Sequence, residues 1–105
     1  MINQVSAEEL KTQLSKNKNL ILIDVRNDWE HKIVNFKEAI LIPLSTLNQK
    51  LDSLDKEKEY IIHCHTGVRS MNACLLMKMK GFNNISNLKG GIAAFSEINK
   101  EFKKY

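Results

Sequence analysis

Cys64 stands in the run His63-Cys64-His65-Thr66-Gly67-Val68-Arg69-Ser70, whose residue types and spacing suit the chemistry of a reactive sulfur. The apolar Tyr60-Ile61-Ile62 before it reads as a strand and the pattern from Val68 onward as a helix, so the thiol falls at a strand-to-helix turn. A cysteine there meets helix N–H groups that have no intrahelical acceptor and lies beside an arginine. Both features favour thiolate over thiol. Between His65 and Ser70 successive amides converge into a nest for a small oxyanion, Gly67 permits a positive φ without Cβ strain, and Arg69 adds a fork of donors. The competing reading is a structural cysteine, because free cysteines are among the most buried residues.

Other reactive residues carry less. His63 and His65 flank Cys64, but neighbouring positions at a strand end point in opposite directions and no second ligand cluster accompanies them, so no metal site is assigned. His65 either lends its side chain to the loop wall or faces solvent. Cys74 lies ten residues after Cys64 within an apolar helical run and reads as core rather than as a resolving thiol. The methionines read as packing. Trp29 suits either a rim or the core.

Alternating strands and helices position these groups. Ile2 to Val5 is a strand, and Ser6 with Glu9 forms a capping box that opens a helix bearing Leu10 and Leu14 on one face and ending at Asn17 and Asn19. Leu20 to Val25 is a strand covered on both faces, Asp28 to Val34 a short helix, and Ala39 to Ile42 a further buried strand stopped by Pro43. Ser45 to Leu54 has leucines at helical spacing. Tyr60 to His63 delivers Cys64, and Val68 to Lys80 is a largely buried helix that stops at Gly81. Asn84 to Leu88 is the last strand and Ile92 to Phe102 the last helix, with Lys100 to Tyr105 as its cationic end. This alternation predicts an α/β fold, a parallel sheet flanked by helices on both faces, with ligand sites at the carboxyl ends of the strands. Cys64 and Asp24 both fall there.

A chain of 105 residues holds one core, hence a single domain over 1–105. Apolar residues make up 43% and charged ones 27%, and the N-terminus carries neither a signal-peptide pattern nor a long apolar span. The expected location is cytoplasmic, where a reducing compartment keeps Cys64 available; two cysteines make no disulfide framework. The net charge of +4 mildly attracts anions, but the lysines are dispersed, so neither a nucleic acid nor a membrane is an expected partner.

Cys64-x-x-Gly67-x-Arg69-Ser70 resembles the active-site loop of the rhodanese family of single-domain sulfurtransferases. Leu22-Ile23-Asp24-Val25-Arg26, with Glu30 four residues past the arginine, is similar to the family's Asp-Val-Arg segment. Ala39, Ile42 and Pro43 fit its Ala-x-x-Ile-Pro strand, and Gly81-Phe82-x-Asn84-Ile85 with Leu88-x-Gly90-Gly91 match its downstream signature. The chain departs from the pattern at Val34-Asn35-Phe36-Lys37-Glu38-Ala39, where the family has Gly-His-Ile-x-Gly-Ala. It departs again at Phe95, where the family often carries tryptophan.

The resemblance implies a rhodanese-like α/β fold with a mainly parallel central sheet, and a sulfurtransferase using a persulfide on Cys64. The donor would be a small sulfur-bearing anion such as thiosulfate, held by His65, Thr66, Gly67, Val68, Arg69 and Ser70. Cyanide, a thiol or a sulfur-accepting protein would take the sulfur, and no metal or organic cofactor is implied. Asp24 and Arg26 would hold the neighbourhood of the loop; the alternative for Arg26 is a surface ion pair with Glu30. Related phosphatases and arsenate reductases use a wider Cys-x5-Arg loop, whereas four residues separate Cys64 from Arg69 here. A sulfur-carrier or regulatory module on the same scaffold is the other open reading.

Overall fold

Apolar runs without alternation require cover on both faces, and the chain supplies it by placing helices on either side of one sheet. The computed structural model describes residues 1–105. In chain order the elements are β1 (Asn3–Val5), α1 (Ala7–Lys16), β2 (Ile21–Asp24), α2 (Asp28–Ile33), β3 (Ala39–Leu41), α3 (Leu44–Lys50) with a 3-10 turn at Leu51–Ser53, β4 (Tyr60–His63), α4 (Val68–Met79), β5 (Ile85–Leu88) and α5 (Gly91–Ile98). The five strands are all parallel, in the order β1-β5-β4-β2-β3.

Neighbouring strand residues divide between two cores, as the pleat demands. Ile23 and Ile62 join Leu47, Leu51, Met77 and Phe82 on one face, while Leu22, Ile61 and Leu88 join Leu10, Ile92 and Phe95 on the other. The capping box on α1 forms as expected, with Ser6 Oγ accepting from Glu9 N at 3.1 Å and Glu9 Oε1 accepting from Ser6 N at 2.9 Å. No helix is long and apolar enough to cross a membrane.

β4 lies at the centre of the sheet, so Cys64 leaves a strand paired on both sides. Its register with β2 sets Asp24 opposite His63. The two strand ends that carry candidate residues are therefore adjacent, although many residues separate them in sequence.

Two expectations fail. Ala39 to Ile42 is not a buried strand throughout: β3 pairs only with β2 and forms an edge, leaving Ile40 49% exposed. The last helix does not reach Phe102, and Lys100 to Tyr105 is not its end. α5 stops at Ile98 because Asn99 leaves the helical region and its Oδ1 accepts from Glu101 N at 3.1 Å, a local turn that competes with another helical turn. The chain then folds back, packing Phe102 against Phe36 and Phe95 and carrying Tyr105 to the ends of β2 and β4.

Candidate active site

Main-chain bonds from both neighbouring segments brace the carboxyl end of β4. Val25 N donates to His63 O at 3.0 Å, Ile92 N to Cys64 O at 3.0 Å and Ala93 N to His65 O at 3.0 Å. After Cys64 the chain turns through Gly67, at φ +105°, into α4. The turn bends the amides inward: Gly67 N lies 3.1 Å and Ser70 N 3.4 Å from Cys64 Sγ, and the Ser70 hydroxyl lies 3.3 Å from it. The amides of Val68 and Arg69 belong to the same first helical turn and have no intrahelical acceptor.

Cys64 is only 1% exposed, at the floor of this loop. Burial pushes its thiol up. Hydrogen bonding to the sulfur from Ser70, by its main chain and by its hydroxyl when that proton faces the sulfur, and from the Gly67 and Thr66 amides outweighs burial and brings the group below its ordinary value. Cys74, also buried, has no such donors, and burial pushes it up to about 12. Both cysteines are buried, but only Cys64 has main-chain donors on its sulfur.

Arg69 is placed by a partner on α2. Its guanidinium forms a two-point pair with Glu30, Nη1 to Oε1 at 2.6 Å and Nη2 to Oε2 at 2.8 Å. Arg69 holds Glu30 at about 2, well below the usual carboxylate range, and Glu30 in turn raises Arg69. Each terminal nitrogen of Arg69 keeps a further N–H, so the pair fixes the fork without exhausting its donors.

Arg26 is not on the surface and does not pair with the Glu30 carboxylate. It is fully buried and grips Asp24, also fully buried, through Nε at 2.9 Å and Nη2 at 2.8 Å. Arg26 N also donates to Asp24 Oδ1 at 2.9 Å, so main chain and side chain converge on the same carboxylate. Its remaining donors reach Val34 O at 2.7 Å and the Tyr105 hydroxyl at 3.0 Å. That hydroxyl donates onward to Glu30 Oε2 at 2.8 Å. A continuous chain of polar contacts therefore runs from Asp24 through Arg26, Tyr105 and Glu30 to Arg69.

Asp24 also meets His31 Nδ1 at 2.8 Å. Burial would push the Asp24 carboxyl up, but hydrogen bonds from Arg26 and His31 and the nearby His63 hold it at about 2. His63 is sealed in the sheet with its ring edge-on to Phe36 at 4.9 Å, and burial lowers it to about 4, so it is neutral at pH 7. Its Nε2 lies 3.9 Å from Asp24 Oδ2 and makes no hydrogen bond. His65 takes the other side and stacks on the Tyr105 ring, with centroids 4.0 Å apart, as part of the loop wall. Trp29, 59% exposed, meets the same ring edge-on at 6.3 Å and so belongs to the rim. Thr66 and Val68 are exposed on the lip of the loop.

Three participants escaped the reading of the sequence. Glu30 was visible as part of a motif, but its partner lies 39 residues away. Asn87 gave little signal, because β5 reads Ile-Ser-Asn-Leu and Ser86 is polar too; it is 2% exposed and bonded to Ser70. Tyr105 gave none, because nothing local ties an aromatic residue beyond α5 to β2.

The departures from the family pattern find their places too. Phe36 is buried between His63, Phe95 and Phe102, and Phe95 keeps an aromatic ring in that cluster. Asn35 Nδ2 donates to His31 O at 2.9 Å.

Comparison with known proteins gives the family and supports the fold. The family model described as "Rhodanese-like domain" matches residues 6–98. A putative sulfurtransferase, YtwF, of Bacillus subtilis is 36% identical over 94 residues, covering 90% of this chain and 90% of the relative. A sulfurtransferase of Allochromatium vinosum is 27% identical over 96 residues, covering 91% of this chain and 90% of its own length. Among solved structures, a rhodanese-like domain protein from Staphylococcus aureus superposes with a TM-score of 0.86 at 29% identity, covering 99% of both chains.

Proposed function

The chain belongs to the rhodanese-like domain family, and on that basis we propose that it moves a sulfane sulfur from an anionic donor such as thiosulfate to a thiophilic acceptor, by way of a persulfide on Cys64. We read residues 1–105 as a single rhodanese-like domain working in the cytoplasm, whose reductants would keep the resting sulfur as a thiol. One observation supports the reading above the others: Gly67 N and Ser70 N converge on a sulfur at the mouth of α4.

The Cys64 thiolate attacks the outer sulfur of thiosulfate. A sulfur–sulfur bond forms, the sulfur–sulfur bond of the donor breaks, and sulfite leaves with the electron pair. Loop amides from His65 to Ser70 and the free donors of Arg69 orient the donor and stabilise charge on the departing sulfite; the amides then hold the terminal persulfide sulfur. Cyanide or a thiolate takes that sulfur and returns Cys64 to thiolate. Asp24 and Arg26 support the loop through Tyr105 and Glu30. The scheme uses no metal or organic cofactor, nucleic acid or membrane.

Incubation with thiosulfate should add one sulfur atom to the Cys64 peptide, read by mass spectrometry, and thiocyanate should form when cyanide follows. Cys64→Ser should abolish both; retention of either would overturn the assignment. The deep placement of Cys64 and the engagement of Arg69 by Glu30 favour a second reading, a sulfur-carrier or regulatory module that passes sulfur to a partner protein. A persulfide that forms with negligible turnover would select it. An aryl-phosphate assay run alongside tests the phosphatase alternative, which the four-residue spacing disfavours.

A further inference from the structure

Behind Cys64 the Ser70 hydroxyl continues into a second polar side chain, Asn87, that the sulfur chemistry above does not use. Ser70, fully buried in the first turn of α4, touches Cys64 Sγ on one side and makes a short bond to Asn87 Oδ1 of β5 on the other. Asn87 is 2% exposed, and its amide orientation is fixed from outside the pair: Nδ2 lies 3.3 Å from Gly67 O, a main-chain carbonyl that can only accept. Nδ2 also reaches Gln4 Oε1 at 3.0 Å. With the nitrogen committed to Gly67, the oxygen faces Ser70. That oxygen can only accept, and a serine hydroxyl has one proton.

We propose that Asn87 is a positioning residue that holds the Ser70 proton away from Cys64, so that the hydroxyl offers the sulfur a lone pair rather than a donor. A thiol can give its own proton to that lone pair, as a weak S–H donor. A bare thiolate cannot, and it must either face an unfavourable oxygen lone pair or pull the proton from Asn87 and leave a buried carbonyl without a donor. Asn87 is thus a brake that partly offsets the loop amides. The inference rests on Cys64 as the reactive thiol. Under the proposed transfer the inner sulfur of a persulfide carries no charge, so the loaded protein escapes the penalty.

The charged and titratable groups around Cys64 are otherwise Arg69 and Cys74 on α4, Glu30 on α2 behind Arg69, Asp24 and His63 at the ends of β2 and β4, and His65 in the loop. None bonds to Asn87, so its replacement leaves their charges in place.

The test is the pH dependence of Cys64 alkylation by iodoacetamide, followed on the Cys64 peptide, in wild type, Asn87→Ala, Ser70→Ala and the double variant. Asn87→Ala should move the midpoint to lower pH by about one unit, about tenfold more thiolate at a fixed pH below the midpoint. A purely structural role, which loosens the loop, would move it upward. Ser70→Ala should not raise the midpoint, and in its presence Asn87→Ala should have no acid shift. An unchanged or raised midpoint in Asn87→Ala, or a raised midpoint in Ser70→Ala, would overturn the proposal. Should Asn87→Ala fail to fold by circular dichroism, the Ser70→Ala midpoint decides alone. No sulfur donor enters the titration, so its outcome is separate from that of the persulfide experiment.

Discussion

Arg69 holds Glu30 and, in the proposed transfer, also the donor anion, so its removal should reveal both. Its fork holds a carboxylate that is 3% exposed, so Arg69→Ala leaves Glu30 with only the Tyr105 hydroxyl and the Asn27 amide. Losing the charged partner of a buried group costs about 1–3 kcal/mol, which urea unfolding should register. The same substitution removes donors from the mouth of the loop. The KM for thiosulfate should rise about tenfold, in line with one charge-assisted hydrogen bond, while the Cys64 persulfide still forms at saturating donor. Unchanged kinetics with lowered stability would make Arg69 a structural cation and no more.

At the scale of elements, the loop depends on how closely α5 approaches it. Gly91, at φ +63°, opens α5 directly against the loop: a Cβ there would lie 2.7 Å from Cys64 O and closer still to His65 O. Gly91→Ala should therefore destabilise the protein by about 2 kcal/mol or more and displace the loop, lowering sulfur transfer beyond what the loss of folded protein explains. Urea titration beside the thiosulfate-to-cyanide assay separates the two effects. Local patterns made most elements legible: the capping box at Ser6, the leucine spacing of α3, the apolar run into Cys64 and the glycines that stop or open helices. What escaped was set by partners distant in sequence or, at the end of α5, by a two-residue turn that the helical pattern did not reveal. The edge position of β3 depends on strand order, the end of α5 on one asparagine turn, and the Glu30 to Arg69 pair on the register that puts the ends of β2 and β4 side by side.

Across the whole molecule, buried polar groups make stability depend on acid in two steps. His63 is neutral when folded and titrates at about 4, against 6.5 unfolded, so between those values the unfolded chain binds more protons and stability falls as pH falls. Asp24 and Glu30 are held at about 2 from ordinary values of 3.8 and 4.5; their contribution is complete above about 4.5 and is lost as pH drops toward 2. The urea midpoint should thus begin to decline below about pH 6.5 and fall more steeply below 4.5. His63→Gln should flatten the upper part alone, and a flat wild-type profile from pH 6.5 to 4.5 would contradict the neutral, sealed imidazole.

The depth of Cys64, at 1% exposure, also has a bearing on what can collect its sulfur. In the proposed transfer, a flat or branched nucleophile would meet the exposed Val68 and the stack of His65 on Tyr105 before reaching a persulfide on Cys64. Slender reagents, a linear anion or a thiol on a thin flexible arm, can come in end-on, so steric reach rather than intrinsic nucleophilicity should rank the acceptors.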